Sequence, residues 1–181
     1  MSKLFIAYQS SSNRLPQAVG FRAITDQDLP FLSQLYASTR ADEMKAVPWS
    51  DAEKQQFLSM QFEAQHRYYQ EHFQQAQFLI IEYQQQAIGR VYVDRRVDEI
   101  RLIDIALCPE QRQQGLGSAL LKDLLQEATA YKLPIRIHVE QFNPALRLYE
   151  RLGFTLVEDQ GVYQFMEWVP SDDGSVESLA V

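Results

Sequence analysis

Residues Asp98 to Ala128 (DEIRLIDIALCPEQRQQGLGSALLKDLLQEA) constrain this chain more than any other stretch. Glu99 to Leu107 is rich in Ile and Leu and stops at Cys108-Pro109. Proline cannot donate to a sheet ladder, so a strand is expected to end there. After the loop Arg112-Gln-Gln-Gly115-Leu-Gly117, the residues Leu116, Leu120, Leu121, Leu124, Leu125 and Ala128 recur at helical spacing. Lys122, Asp123, Gln126 and Glu127 fall on the opposite side, as an amphipathic helix requires. Strand, glycine loop and helix therefore follow one another directly. The loop opens onto a helix N-terminus, where backbone N–H groups and the positive end of the dipole face outward. Glycine lets a ligand approach those amides, so an anion such as a phosphate fits there.

The rest of the chain supplies the context. Val19 to Ile24 reads as a first strand, and Thr25 with Asp28 marks a helix start whose apolar face is Leu29, Leu32, Leu35 and Tyr36. Arg40 to Trp49 reads as a polar loop. Ser50-Asp-Ala-Glu53 is a capping box opening a long helix to about Phe73, with Leu58, Phe62 and Tyr69 along one side and Phe57, Ala64 and Tyr68 beside them. Those aromatics read first as core, and secondly as the wall of an acceptor pocket. Phe78–Tyr83 and Ala87–Val93 read as strands about a glutamine turn without glycine. With the strand after Asp94–Asp98 they form an antiparallel meander. Ile135–Val139 is a strand reached by a parallel crossover. Asn143-Pro144 starts a short helix bearing Ala145, Leu148, Tyr149 and Leu152, which Gly153 stops. Phe154–Glu158 and Gly161–Trp168 form a last hairpin.

The organisation expected is a leader over 1–18, one catalytic domain over 19–169 and a tail over 170–181. The 181 residues suit a single α/β domain with a sizeable core. A net charge of −7 and a pI near 5.0 argue against nucleic acid as the main partner and favour a cationic substrate. One cysteine and three histidines, well apart in sequence, argue against disulfides and against a zinc site. No apolar run is long enough to span a membrane, and the N-terminus lacks a signal-peptide pattern, so a cytoplasmic protein is expected.

Arg112-x-x-Gly115-x-Gly117 at a strand-to-helix junction resembles the acetyl-CoA pyrophosphate loop of the GCN5-related N-acetyltransferases, the GNAT family. The element order from Gly20 to Val169 matches that family. Asn143-Pro-Ala-Leu-Arg-Leu-Tyr149-Glu-Arg-Leu-Gly153-Phe154 is similar to its Asn…Tyr…Gly-Phe signature, with the Asn one residue closer to the Tyr than is common. The resemblance implies an α/β (α+β layered) fold with a mixed central sheet of about seven strands flanked by about four helices. It implies that the backbone of Ile105, Ala106 and Leu107 receives the pantetheine arm. The amides of Gln113, Gln114, Gly115, Leu116, Gly117 and Ser118 would hold the pyrophosphate, and Arg112 would add charge or brace the loop. Asn143 is read at the cofactor side. Tyr149 would protonate the leaving thiolate.

A lysine-like amine, with a pKa of about 10.4, must lose a proton before it attacks. Glu99 is the candidate base, near where family members that acetylate protein N-termini carry a glutamate. Asp104 is second, and strand alternation puts it on the opposite face from Glu99, Arg101, Ile103 and Ile105. The expected reaction is acetyl transfer from acetyl-CoA to a primary amine in a ternary complex, without a metal, because a thioester is already activated. The acceptor is a small cationic amine, a protein N-terminus or a lysine. A non-catalytic CoA-binding module of the same fold is the alternative. An edge strand or the broad early helix offers a homodimer surface. His138 reads as a packed, hydrogen-bonded histidine, and Cys108 has no evident base. A dinucleotide fingerprint ending at Glu140 is excluded by the residues between Cys108 and Gln114 and by Leu120 where a third glycine is needed.

Overall fold

The computed structural model describes residues 18–171. Nearly all of the expected leader, and the tail from 172, lie outside the described residues. The described elements run β1 (Val19–Ala23), α1 (Leu29–Thr39), α2 (Ala41–Lys45), α3 (Asp51–His72), β2 (Gln77–Tyr83), β3 (Gln86–Arg95), β4 (Ile100–Leu107), α4 (Leu116–Tyr131), β5 (Ile135–Glu140), α5 (Leu146–Arg151), β6 (Thr155–Asp159) and β7 (Tyr163–Trp168). One mixed sheet takes the strands in the order β1-β2-β3-β4-β5-β7-β6. Two compact units share this sequence. Ala18–Asp94 and Asp104–Gln114 form the first; Arg95–Ile103 and the chain from Gly115 form the second. The strand β4 passes from the second unit into the first.

In the first unit, β1 and β2 pair antiparallel from Val19↔Tyr83 to Ala23↔Leu79. Strand β2 then turns into β3 through Gln84 and Gln85 alone, with φ of 50° and 65°. Positive φ at both central residues is the primed hairpin turn, whose twist matches the flanking strands. Glycine is its usual occupant, which is why the sequence left the turn type open. Both capping boxes form. Ser50 N–H donates to Glu53 Oε2 at 2.8 Å and Glu53 N–H returns to Ser50 Oγ at 3.3 Å. Asp28 accepts from Thr25 N–H at 2.8 Å and from Thr25 Oγ1 at 2.9 Å. Arg22 grips the same buried carboxylate through both terminal nitrogens, at 2.7 and 2.8 Å.

Residues read as a loop contain a helix instead. Ala41–Lys45 form α2, which turns Met44 into a cluster with Leu32, Tyr36, Leu58, Phe62 and Ile80. The apolar face of α3 is narrower than its pattern suggested, because Ala64 and Tyr68 are exposed. Gly89 on β3 has no space for a side chain. A Cβ there would meet the carbonyl oxygen of Ala106 and lie 2.8 Å from Leu107 Cδ2. The Cys108 N–H bonds to the Ile88 carbonyl at 2.8 Å just beyond.

In the second unit, β4 and β5 pair in parallel over Ile100↔Ile135, Arg101↔Arg136 and Leu102↔Ile137. Strand β5 then runs antiparallel to β7 along its whole length, from Ile135↔Trp168 to Glu140↔Tyr163. Alternation sorts the side chains. Ile100, Leu102, Ile135, Ile137, Val139 and Met166 are buried, as are Leu120, Leu121, Leu124, Leu125 and Ala128 of α4. Arg101, Arg136, His138, Phe165 and Glu167 project from the other face. Helix α5 begins at Leu146, later than its sequence start at Asn143-Pro144 suggested.

Two predictions follow from these contacts. Arg22 beside Asp28, with burial opposing, holds that carboxyl well below the usual carboxylate range. Asp28→Asn should lower stability at pH 7 by about 1–3 kcal/mol. A depressed folded pKa stabilises above the unfolded value of about 3.9 and ceases to do so as pH falls toward the folded one. Urea midpoints of the two proteins should therefore converge below about pH 4. Gly89→Ala should cost about 1–3 kcal/mol through overpacking against backbone, and amide exchange at Cys108 should accelerate in the same variant.

Candidate active site

The glycine loop has the backbone an anion cradle needs. Gln113 and Gly115 both adopt left-handed conformations, with φ of 60° and 81°. Gly115 is the N-cap of α4, and no side chain caps the helix. The first intrahelical bond runs from Ala119 N–H to Gly115 O at 2.9 Å. The amides of Leu116, Gly117 and Ser118 thus belong to the turn whose N–H groups have no intrahelical acceptor. A diphosphate suits such amides, because successive N–H groups and the helix dipole all favour negative charge.

Arg112 turns its guanidinium back onto the chain. Its Nε donates to the Leu107 carbonyl at 2.8 Å, and one terminal nitrogen donates to Ser38 Oγ at 2.7 Å. The guanidinium therefore ties the end of β4 to the last turn of α1. Ser38 carries no motif, and 74 residues separate it from Arg112, so sequence reasoning missed it. Gln114 reaches back to the Glu110 carbonyl. Ala106 is buried, and Ile105 and Leu107 are half-buried on β4.

The second motif is local and packed. Asn143 Oδ1 accepts from Ala145 N–H at 2.9 Å, ordering the turn before α5. Tyr149 is 6% exposed and meets Phe154 edge-on, with ring centroids 5.5 Å apart.

Both candidate carboxylates hold arginines. Glu99 is 4% exposed. Arg96 donates to its Oε1 at 2.6 Å, Arg136 to its Oε2 at 3.2 Å, and Arg101 Nε lies 3.6 Å from Oε1. Asp104 accepts from buried Arg90 at 2.8 Å, and Arg90 also donates to Gln65 on α3 at 3.0 Å. The Arg90 guanidinium lies 5.2 Å from the ring centroid of Tyr92, whose hydroxyl burial pushes up to about 12. Glu99 and Asp104 thus belong to separate charge clusters, one in each unit.

His138 emerges with more exposure than a core histidine. Its ring stacks on Phe165 at 4.8 Å, and its Nδ1 lies 2.9 Å from an Arg101 terminal nitrogen. Two cavities flank α3 in the first unit. One, of about 510 Å³, is bordered by Ser33, Glu63, His66, Arg67 and Gln70. The other, of about 580 Å³, is bordered by Trp49, Glu53, Phe57, Met60 and Glu63. Among the described residues, no cluster of His, Cys, Asp or Glu is arranged to hold a metal, and no helix is long and apolar enough to cross a membrane.

Solved structures share this fold. An N-acetyltransferase from Thermoplasma acidophilum in complex with coenzyme A matches with a TM-score of 0.63 and 16% identity, over 83% of this chain and 98% of that one. An acetyltransferase from Thermus thermophilus matches at 0.60 and 14%, over 84% and 97%. Spermidine N-acetyltransferase from Vibrio cholerae, in complex with CoA and spermine, matches at 0.55 and 22%, over 85% and 96%. The sequence model of the acetyltransferase (GNAT) domain matches residues 44–171, more than half of the chain. With the seven-stranded mixed sheet and the loop at the start of α4, that match makes this chain a member of the GNAT acetyltransferase family.

Proposed function

We propose that the chain transfers an acetyl group from acetyl-CoA to a primary amine by direct attack in a ternary complex. The observation that carries this reading is the backbone from Arg112 to Ser118. Two left-handed residues and an uncapped helix start present amides where a diphosphate would bind. The amides from Gln113 to Ser118 hold that group, and Arg112 keeps the loop attached to Leu107. The backbone of Ile105 to Leu107 receives the pantetheine arm as an added strand would. The parallel ladder between β4 and β5 covers three residue pairs, and its shortness supports this assignment. Asn143 shapes the turn into α5 on the cofactor side. Residues 19–169 make up the catalytic domain.

The amine attacks as the free base and forms a nitrogen–carbon bond as the carbon–sulfur bond breaks. Tyr149, through its phenol, supplies a proton to the departing sulfur and regains one from solvent. Proton donation of this kind contributes about 10²–10⁴-fold. The carboxylates of Glu99 and Asp104 both accept hydrogen bonds from guanidinium groups. We therefore assign these carboxylates to holding Arg101, Arg136 and Arg90, and the amine's proton to solvent water.

A cationic amine with an apolar arm is the acceptor class the surface supports. The larger cavity beside α3 sets Glu53 and Glu63 around Trp49, Phe57 and Met60. Hydrogen bonds from Ser50 hold Glu53 below its usual range, so it is ionised at neutral pH.

Calorimetry with acetyl-CoA tests the cofactor assignment. Micromolar binding that Gly117→Trp abolishes is the expected result, and a folded wild type that binds nothing would overturn the reading. Tyr149→Phe should lower kcat by about 10²-fold or more while leaving acetyl-CoA affinity nearly unchanged. An equal loss of affinity would instead make Tyr149 a packing residue.

A further inference from the structure

In the first unit, the groove between α1 and α3 carries one carboxylate and one guanidinium. The two helices meet through Leu32, Tyr36, Leu58 and Phe62, and the rings of Tyr36 and Phe62 lie 6.2 Å apart. Beside that contact opens the cavity of about 510 Å³, within the roughly 300–1,000 Å³ of small-molecule sites. Leu29 and the buried Phe62 give it apolar surface. Ser33 on α1 and Ser59 on α3 add hydroxyls.

Glu63 and Arg67 stand four residues apart on α3, and both border this cavity. That spacing, with the glutamate first, favours an ion pair between them. None forms: among the described residues, neither side chain has a hydrogen-bond or ion-pair partner. The helix rise separates their Cα atoms by about 6 Å along the axis. Two opposite charges held apart over that span are complementary to a head group that carries both. His66 adds no third charge at neutral pH. Burial first, and then Arg90, push it below the usual histidine range, with Asp26 opposing. Its ring rests near Phe62, with centroids 5.6 Å apart.

We infer that this groove binds a free α-amino acid with an apolar side chain. Its α-carboxylate takes the Arg67 guanidinium, whose N–H fork fits two oxygens. Its α-ammonium donates to the Glu63 carboxylate, and Ser33 and Ser59 offer hydroxyl oxygens to the remaining N–H bonds. The side chain covers Leu29 and Phe62 and leaves water. The same charges set what is refused. A polyamine meets Arg67, and a phosphate or a dicarboxylate meets Glu63. A peptide separates its two charges along its chain, whereas a free amino acid carries both on one carbon. The groove shares no residue with the loop assigned to acetyl-CoA, and its ligand needs no cofactor.

Calorimetry on the full chain, without acetyl-CoA, tests this with L-leucine and L-phenylalanine as probes. At least one of them should bind. Its amide, which lacks the carboxylate, should bind about 10-fold more weakly or worse, and so should its N-acetyl derivative, which lacks the ammonium. Arg67→Gln should weaken the amino acid by about 10-fold or more and leave the affinity for its amide unchanged. Arg67 borders this cavity and not its neighbour, so that variant separates the groove from the cavity that Glu63 also borders. Ser33→Trp, which fills the groove from α1, should abolish binding while acetyl-CoA affinity and the circular dichroism spectrum stay as in the wild type. A wild type that binds neither amino acid overturns the proposal, whether or not it binds acetyl-CoA. Equal affinity for the amino acid and its amide, or binding that Arg67→Gln leaves intact, overturns it as well.

Discussion

A buried carboxylate holds the second unit in register. Glu99 stands one residue before β4, in the turn that Arg96 N–H closes onto the Glu99 carbonyl at 2.9 Å. From there it accepts from Arg96 and Arg136 and lies against Arg101. Arg136 also donates to Glu167 at 2.7 Å, so one chain of charge crosses from the start of β4 through β5 to β7. Buried carboxylates persist only when paired, and removing one partner leaves the other stranded at a cost of about 3–5 kcal/mol. This cluster makes any other alignment of β4 with β5 expensive, because a slip of one residue would send Arg101 and Arg136 into the apolar face.

That constraint also changes what a glutamate at this position means. Read along the chain, Glu99 is a carboxylate beside a strand that a cofactor would line. Folded, it orders an arginine that orders a histidine, and the outermost member meets solvent. Asp104 behaves alike in the first unit, where it balances a buried Arg90 whose other bond reaches Gln65 on α3. That the two carboxylates alternate along the strand was legible in the sequence. The partners were not, since Arg90 is 14 residues from Asp104 and Arg136 is 37 from Glu99.

Strong local signals carried over well. Ser50-x-x-Glu53 and Thr25-x-x-Asp28 needed only their own backbone to act as caps, and both do. The period of the leucines after Gly115 matched α4, and Cys108-Pro109 ended β4. The misses came where distant packing overrode local preference. Helix α2 has five residues, too few to form alone, and it exists because Met44 is buried with Leu58 and Phe62. Two glutamines occupy a left-handed turn where glycine is the expected signal, so no local pattern announced it. His138, read as packed and hydrogen-bonded, does stack on Phe165 and meet Arg101, although period-two alternation turns it outward.

The tie between Arg112 and Ser38 has a mechanical consequence. Ser38 sits in the last turn of α1, and the same guanidinium that bonds it holds the Leu107 carbonyl. A displacement of that helical turn reaches the end of β4 through one rigid planar group, with no slack from a flexible ammonium. The first helix and the strand end are therefore coupled members of one lever inside the first unit. A shift of α1 is therefore felt at the Leu107 carbonyl, 69 residues further along the chain than Ser38.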